Sequence, residues 1–430
     1  MYMREEFLQY VWLHQRFNHE NLFTTDGKEI QIIHQGFLNY DSGPDFSMAK
    51  ILIDQILWSG NVEIHYNSSD WLKHKHQNNK AYDNVILHIV WKDDKVVNDL
   101  YQNKIPTLEL KNKVENSLIA EYNNLLKSTH KIPCENYFCK IEPLIKHEML
   151  DKAMASRLEV KSLEVLKILN KNNGDWEEMT YQLLGKNFGF KTNSAAMETI
   201  CNKLSLKVLL KQAPNITQIE ALLFGTSGLL DQYYTDEYPK QLKNEYNFLA
   251  QKHGLQQKKM TAQEWKFSKL RPANFPTIRI AELASIMAIH QHLFSKLIEA
   301  EQIESIIKLF KIKTSEYWHS HFIFDKSSPT KAKGLGLSSI YNIILNTVVP
   351  LLVCYAKEKG NQTYMDRAIR FLEQIPSEEN HITKYFQTLG QKNSSAFESQ
   401  AILELYNNFC KRKLCLNCSI GNNILKKNQN

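Results

Sequence analysis

The chain of 430 residues contains 43% hydrophobic residues and carries a formal net charge of +7. This length and hydrophobic content are enough for two or three domains with sizeable cores, and they exclude an intrinsically disordered protein. The small basic excess permits contact with nucleic acid without requiring it, since abundant lysine is more often ordinary solvated surface.

The first segment of the chain lacks the features of an export signal. Residues 1–15 include Arg4, Glu5 and Glu6 and have no apolar core of the kind that a signal peptide needs. The longest apolar run, residues 340–356, is interrupted by polar side chains and a proline, so we interpret it as a buried helix and not as a membrane span. Seven cysteines, an odd number, fit reduced thiols in a cytosol. We therefore expect a cytoplasmic protein without a membrane partner, in an oligomeric state that the sequence does not define.

Hydrophobic periodicity changes about one third of the way along the chain. The first part predicts one helix followed by short strands, namely a helix over 5–17 and strands over 30–34, 49–53, 56–65, 84–92 and 106–110. From about residue 140 onward, leucine, isoleucine and methionine recur at three- and four-residue spacing, which is typical of packed helices. The sequence therefore predicts an α+β protein, with a mixed α/β domain over residues 1–135 and a mainly helical domain over residues 136–430.

Two of the predicted strands form a hairpin that brings acidic residues together. With Asp54 and Gln55 at the turn, antiparallel pairing gives partners whose positions add up to about 109, which sets Asp45 beside Glu63. Glu63 and His65 are two residues apart on one strand and therefore share a face. Neighbouring carboxylates suit a hard divalent cation, so we predict that Asp45 and Glu63 bind Mg²⁺ or Mn²⁺. The alternative is a polar sheet edge whose side chains satisfy one another.

More polar residues follow the hairpin. His76 is a candidate metal ligand, and His74, Asp83 and His88 are candidates for the surroundings of the metal or for contact with a substrate. His74 and His76 can also be surface imidazoles of a lysine-rich loop, because residues two apart do not share a helix face. His88 lies in the middle of a predicted strand, where it is either a core histidine bonded to a backbone carbonyl or a partner of Asp45 or Glu63.

Two arginines, Arg271 and Arg279, flank a proline-anchored loop in the helical domain. Guanidinium groups on a fixed backbone can bind phosphate or carboxylate, so both are candidates for contact with a substrate. The alternative is that each arginine pairs with an acid of the helical domain.

The last part of the chain contains a second candidate metal site. Cys410, Cys415 and Cys418 lie within nine residues, and a closed zinc or iron–sulfur site needs one more ligand. Cys134 and Cys139, near the predicted domain boundary, are candidates for that fourth ligand. The alternative is a group of buried free thiols.

Several motifs resemble those of an uncharacterised bacterial family of unknown function. They are GPDF at 43–46, GNVEIH at 60–65, SSDW at 68–71, HKH at 74–76, RPANFPT at 271–277 and CLNC at 415–418. The resemblance extends over nearly the whole chain and implies no particular activity.

A second resemblance concerns the hairpin alone. Pro44-Asp45 followed by Glu63-Ile64-His65 is similar to the Pro-Asp…(Asp/Glu)-x-Lys signature of nucleases with a restriction-endonuclease-like fold. The acids of that signature hold a catalytic magnesium, which implies the same role for Asp45 and Glu63, and His65 stands where the signature has lysine. Some of these nucleases also carry an iron–sulfur cluster on terminal cysteines, which implies such a cluster as one occupant of the cysteine group.

Two functions follow from these residues. In the first, Asp45 and Glu63 hold a divalent cation while His65 orients or activates water for hydrolysis of nucleic-acid phosphodiesters. In the second, the protein is a non-catalytic binding or scaffold protein with a degenerate nuclease-like core, and its helices form the interaction surface. The clustered acids and histidines favour the enzyme, and the missing lysine favours the scaffold.

Overall fold

A computed structural model describes residues 4–331 and 333–427 of the chain. Contacts divide the chain into two units, one that comprises residues up to 149 together with those from 405 onward, and one that comprises residues 150–404. The first unit contains a mixed sheet and the second is mainly helical, which confirms the predicted α+β class.

The first unit begins with a helix, which is followed by the strands of one sheet. Its elements up to residue 138 are α1 (Glu5–Leu13), β1 (Ile30–His34), β2 (Phe37–Leu38), β3 (Phe46–Ile53), β4 (Ile56–Asn67), α2 (Asp70–Lys73), β5 (Val85–Lys92), β6 (Thr107–Glu109), α3 (Asn116–Lys127) and α4 (Glu135–Phe138). The strand order is β1-β3-β4-β5-β6, with β2 also paired to β3. The pairs β1/β3 and β3/β4 are antiparallel, whereas β4/β5 and β5/β6 are parallel. A parallel pair needs a long crossover, and the crossover between β4 and β5 contains α2.

The β3–β4 hairpin has the register that its turn predicts. Paired positions add up to 109 from Ile53–Ile56 to Ala49–Gly60. Asp54 and Gln55 both have positive φ, 49° and 64°, as a two-residue type I′ turn requires. Beyond Ala49 a β-bulge shifts the register by one residue, and Phe46 pairs with Val62. The bulge bends β3 and leaves Asp45 still adjacent to Glu63.

Helix α1 packs its apolar face into the first unit. Phe7, Leu8, Val11 and Trp12 are fully buried, and the ring of Phe7 stacks on Tyr122 of α3 with centroids 4.5 Å apart. Burial of one such side chain contributes about 1.5–3 kcal/mol. The helix also contacts β4, so its polar side lies next to the charged part of that strand.

Helix α5 (Pro143–Lys171) leads from the first unit into the second. The remaining elements of the second unit are α6 (Trp176–Phe188), α7 (Ser194–Lys203), α8 (Leu206–Leu210), α9 (Ile216–Thr226), α10 (Glu237–His253), α11 (Pro276–Ile289), α12 (Leu293–Glu299), α13 (Ile303–Phe310), β7 (His321–Ile323), β8 (Lys326–Ser327), α14 (Leu337–Ile343), α15 (Val349–Lys359), α16 (Gln362–Gln374), α17 (His381–Thr388) and α18 (Ala396–Glu404). Helix α11 is almost entirely buried and contacts α6 and α9, so it forms the centre of this unit.

The apolar run in the second unit is one continuous helical segment, Leu337–Lys359. Among the described residues this segment alone is long and apolar enough to cross a membrane, and 61% of its most apolar window is buried inside the protein. A π-helical turn at Ile344–Val348 comes just before Pro350, which has no N–H to donate to the preceding turn. Burial of this kind is compatible with a soluble protein.

The C-terminal segment belongs to the first unit and not to the helical one. Its helix α19 (Ser419–Lys427) begins with Ser419, whose hydroxyl donates to Glu148 at 2.7 Å, and Arg16 donates to the carbonyl of Leu425 at 3.0 Å. The sequence had assigned residues 136–430 to a single helical domain, because helical periodicity continues to the end of the chain. Periodicity reports local structure alone, so it does not show that the last helix returns to the N-terminal sheet.

Candidate functional site

Two parallel strands supply the buried part of the candidate site. Glu63 and His65 lie on one face of β4, and His88 of β5 is the register partner of Glu63. The three residues are 5%, 1% and 0% exposed, respectively. A carboxyl group and two imidazoles therefore lie within the sheet, where water cannot solvate them.

The crossover after β4 is anchored next to these strands. Trp71 of α2 is buried and packs with Val97 and Ile105 in a small apolar cluster. Asp70 accepts a hydrogen bond from the backbone N–H of Asn67 at 2.9 Å, which ties the first turn of α2 to the end of β4. This anchoring holds the following residues over the end of β4.

The left-handed conformation of Lys75 directs both crossover histidines to the same place. Lys75 has φ 61° and ψ 31°, between the short helix that ends before His74 and the 3-10 turn that begins at His76. The reversal at Lys75 compensates for the two-residue spacing, which would separate the two rings on a regular helix. His74 is exposed, and the side chain of His76 is 10% exposed, so the site has one side open to solvent.

Three imidazoles lie close together, and the carboxylate of Glu63 contacts two of them. Oε1 of Glu63 is 3.5 Å from Nε2 of His65 and 3.3 Å from Nε2 of His76. Nε2 of His65 is 3.1 Å from Nδ1 of His74. The three imidazoles each offer a nitrogen within 4.8 Å of the other two.

These separations match the ligand spacing around one metal ion. Zinc binds imidazole nitrogen at about 2.0–2.1 Å, so two ligands of a tetrahedral site are about 3.3 Å apart. The measured separations of 3.1, 3.3 and 3.5 Å bracket that value. Three of the six pairs among Glu63, His65, His74 and His76 therefore have the spacing of ligands around one ion, and His65, His74 and His76 are the residues that could hold it together.

Burial determines the protonation state of the histidine and carboxyl side chains in this group. Burial, together with the nearby imidazoles, lowers the pKa of His65 to about 2 and that of His88 to about 3. The rings are therefore neutral, and a neutral imidazole has the lone pair that a metal ligand needs. Burial also raises the pKa of the adjacent carboxyl groups of Asp45 and Glu63, and the charge of Glu63 raises that of Asp45 further. A cation bound next to these carboxyl groups would offset the free-energy cost of burying them.

His88 is the partner of His65. Nδ1 of His65 and Nε2 of His88 are 2.8 Å apart, a hydrogen bond in which one ring donates to the other. Neither sequence-based alternative for His88, a backbone carbonyl or a direct bond to Asp45 or Glu63, names this contact. Because Nδ1 of His65 bonds to His88, Nε2 of the same ring is directed at His74 and Glu63. Metal-bound histidine commonly has its second ring nitrogen bonded to a protein group in this way.

Asp45 supports the group without joining it. Its carboxylate accepts from the N–H of Ile64 at 3.0 Å and from the side-chain amide of Gln9 at 2.8 Å. Its own backbone N–H donates to Oε2 of Glu63 at 3.0 Å. Asp45 and Glu63 are adjacent, as the hairpin arithmetic predicts, but each oxygen of Asp45 already has an N–H donor. The structure groups one carboxylate with three imidazoles, whereas the sequence analysis named Asp45, Glu63 and His76 as candidate metal ligands.

The sequence analysis did not name three residues of the site as candidates. Glu5 and Gln9 are one helical turn apart on α1, and Gln9 binds Asp45 while Glu5 interacts electrostatically with His74. Burial raises the pKa of the Glu5 carboxyl group. The ring of Tyr82 stacks on His76 with centroids 3.8 Å apart. Polar residues four apart beside an apolar stripe were the available signal for Glu5 and Gln9.

Three other candidates have surroundings of their own. Asp83 is exposed at the end of the 3-10 turn before β5. Arg271 is exposed at the start of a short turn in the helical unit. Arg279 is buried in α11 and donates to Glu282 at 2.7 Å and to Asn274 at 2.6 Å. Arg279 therefore pairs with an acid, the alternative that the sequence analysis left open.

The cysteines of the C-terminal segment belong to the same unit as Cys134. Cys134, Cys410, Cys415 and Cys418 are all buried, whereas Cys139 is exposed. Burial raises the pKa of the Cys134 and Cys410 thiols, and the neighbouring thiols raise both further. Burial raises the pKa of Cys415 to about 12. Of the two candidates for a fourth ligand, Cys134 is buried and Cys139 is exposed, and a metal site at the cysteines remains a prediction.

Comparison with protein-family models gives one match. The family described as "Protein of unknown function (DUF2851)" matches residues 5–381, and the chain therefore belongs to this family. No curated protein and no solved structure matches the chain. The expected membership of an uncharacterised family is confirmed, and the resemblance to the nuclease signature remains a prediction.

Proposed function

We propose that this member of the family is a metal-dependent hydrolase that cleaves phosphodiester bonds of nucleic acids. The observation that carries the proposal is the group of His65, His74 and His76, open to solvent at His74, with Glu63 at 3.3 Å from His76 and 3.5 Å from His65. Imidazole suits transition metals better than Mg²⁺, so we infer Zn²⁺ or Mn²⁺ as the ion. In this proposal His65 and His74 join Glu63 and His76 as ligands, and Asp45, a ligand in the sequence hypothesis, is left out.

Positive charge around the solvent-exposed side of the site supports a polyanionic substrate. Lys73, Lys75 and Lys80 are exposed and belong to the same crossover as His74 and His76. Lys73 is paired with Asp70 at 2.5 Å, whereas Lys75 lies between the two histidine ligands. Lysines around an otherwise buried acidic site attract phosphate groups and would position the backbone of a nucleic acid over the site.

The chemistry that we propose depends on a few residues. An ion held at this point lowers the pKa of a bound water and stabilises the charge that develops on phosphate. Glu63 and His65 hold the ion from the sheet, and His74 and His76 complete the ligand set from the crossover. His65 acts as a ligand in this proposal, because His88 engages one of its nitrogens and the other points at the ion. A proton acceptor other than His65 is therefore needed, and Glu5, half-buried beside His74, is the side chain best placed for it.

A second candidate function has its own supporting observation. Four protein ligands can fill a tetrahedral zinc site completely, as in structural zinc sites, which leaves no position for water or substrate. In that case the protein is a binding or scaffold protein and the ion stabilises its N-terminal unit. Under both functions we expect cytoplasmic protein with reduced cysteines.

The two functions are distinguished by metal analysis combined with cleavage assays. Protein without a histidine tag is loaded with Zn²⁺, Mn²⁺ or Mg²⁺ and incubated with labelled single- and double-stranded DNA and RNA. Glu63→Gln and His76→Ala should each reduce cleavage by at least about 100-fold, since each removes a ligand of the ion. His147→Ala is the matched control, because His147 is exposed on α5 and outside the ligand set. Cleavage that survives both ligand substitutions would contradict the enzyme, and bound metal without any cleavage would support the scaffold.

A further inference from the structure

The helical unit contains a cavity that the proposed hydrolase does not use. Its volume is about 620 Å³, within the range of about 300–1,000 Å³ that is usual for sites of small ligands. Its wall is formed by the start of α9, the end of α11, helix α12 and the segment that follows α13. All of these residues belong to the second unit, so the cavity shares no side chain with the group around Glu63.

Part of the cavity wall is apolar. Pro214, Ile216, Ala288 and Ile289 line this part. Ala288 is buried, whereas Ile289, the last residue of α11, is 56% exposed. A large apolar side chain that is exposed to water is stabilised when another apolar group covers it. This part of the wall therefore suits the hydrocarbon portion of a ligand.

The remaining part of the wall is polar and basic. It contains His292, Lys296 and Lys313, and none of the described lining residues is acidic. Lys313 is exposed and has neither a hydrogen-bond partner nor an ion-pair partner among the residues that the structure describes. Its positive charge is therefore available to a ligand.

Lys296 also keeps its positive charge uncompensated. Its Nζ lies 3.3 Å from Nδ1 of His290, whose Nε2 is 3.0 Å from the carbonyl oxygen of Leu309. Burial lowers the pKa of the His290 ring, which is therefore neutral near pH 7. The ring accepts a hydrogen bond from Lys296 without neutralising its charge, and this contact holds the ammonium group beside the cavity.

The hydroxyl groups of the wall already have partners within the protein. Ser285 and Thr314 donate to backbone carbonyls at 3.0 and 3.2 Å, and Ser315 donates to the carboxyl group of Glu220 at 2.9 Å. These bonds fix the wall. The basic side chains and the exposed amide of Gln291 are therefore the donors that a ligand meets.

We propose that this cavity binds a small organic anion, with its carboxylate or phosphate group at Lys296 and Lys313 and its apolar body against Ile216, Ala288 and Ile289. An exposed lysine is ordinarily solvated and needs no ligand. Here two lysines without acidic partners lie beside an apolar wall, and partial exclusion of water strengthens their attraction for an anion. The site stands or falls independently of the hydrolase.

The test is binding of simple probes to the full chain, followed by ligand-observed NMR. Hexanoate and hexyl phosphate each have an apolar body and an anionic group, and the tighter of the two identifies which anion the lysines prefer. Hexanol lacks the charge, and acetate and inorganic phosphate lack the apolar body. We expect each of these three to bind at least about ten-fold more weakly than the better anion, since each loses one of the two interactions. Added salt should weaken binding of the anions and not of hexanol.

Substitutions at exposed positions locate the site without disturbing the fold. Lys313→Ala should weaken binding of the better anion by about 10–100-fold, the effect of losing one charge-assisted hydrogen bond. Ile289→Asp should abolish binding, because it places a negative charge on the apolar wall. Lys308→Ala is the matched control, because Lys308 is an exposed lysine of the same unit outside the cavity wall.

Two results would overturn the proposal. The first is wild-type protein that binds neither hexanoate nor hexyl phosphate, or that binds hexanol as tightly as either. The second is binding that Lys313→Ala and Ile289→Asp leave at the level of Lys308→Ala, because the anion would then lie elsewhere on the protein.

Discussion

The backbone N–H of Asp45 donates to the carboxylate of Glu63 at 3.0 Å, and the carboxylate of Asp45 accepts from the next residue along β4, Ile64, at the same distance. These two hydrogen bonds fix the start of β3 against the middle of β4. It holds one oxygen of Glu63 and leaves the other, Oε1, directed at His65 and His76. Asp45 therefore positions the carboxylate that contacts the imidazoles.

The first prediction concerns that positioning. Asp45→Asn should weaken metal binding by about 10–100-fold, because the amide keeps only one of the two oxygens that accept N–H groups from Gln9 and Ile64. Competition with a metal-chelating dye measures the affinity. Asp83→Asn is the control, since Asp83 is an exposed acid of the same unit. Equal affinities for the two variants would show that Asp45 has no such role.

The second prediction concerns His88. Its contact with His65 at 2.8 Å is buried, so His88→Leu leaves Nδ1 of His65 without a partner and its ring free to rotate. We expect metal affinity to fall by about 10–100-fold. His88→Gln should recover part of the loss, because its amide reaches a similar position. If both variants bind metal as the wild type does, His88 does not orient His65.

Much of this site was predictable, and the parts that were not have identifiable causes. The Asp54–Gln55 turn determines the hairpin register, and with it the proximity of Asp45 and Glu63. The bulge between Phe46 and Ala49 and the left-handed Lys75 were not predictable, because each depends on packing around the residue and not on its type. Without the chain reversal at Lys75, the sequence predicts that the side chains of His74 and His76 point in different directions.

The third prediction addresses Arg279, which the sequence analysis considered for substrate contact. Arg279→Ala leaves the carboxyl group of Glu282, 2% exposed, without its partner in α11, and should cost roughly 3–5 kcal/mol of unfolding free energy. The double variant Arg279→Met/Glu282→Leu should recover most of that loss, because no unpaired charge remains. Urea unfolding measures both, and Arg271→Ala serves as the exposed control. A double variant as unstable as the single one would contradict this account.

The fourth prediction is a pH dependence in the helical unit. Burial raises the pKa of Glu220 to about 7, although Tyr238, Ser315 and Trp318 donate hydrogen bonds to its carboxyl group. A raised carboxyl pKa means that the folded state holds the proton more tightly than the unfolded state. The contribution to stability is therefore complete below about pH 4.5 and is lost as the pH rises through 7.

Glu220→Gln isolates this effect, because the amide cannot ionise. Between pH 5 and 8 the unfolding free energy of the wild type should fall relative to the variant by up to roughly 3 kcal/mol, at about 1.4 kcal/mol per unit of pKa. Urea unfolding of both proteins across this range gives the difference. Parallel pH profiles would show that Glu220 does not titrate on unfolding in this range.

The central claim is that Glu63, His65, His74 and His76 bind one metal ion. Anomalous X-ray diffraction from crystals of untagged protein, purified with Zn²⁺ or Mn²⁺ and measured on both sides of the absorption edge of the metal, tests it most directly. We predict one anomalous peak among these four side chains, about 2.0–2.2 Å from their nitrogen and oxygen atoms. Metal-loaded crystals without a peak at that point, with the imidazoles bonded only to each other and to water, would contradict the claim.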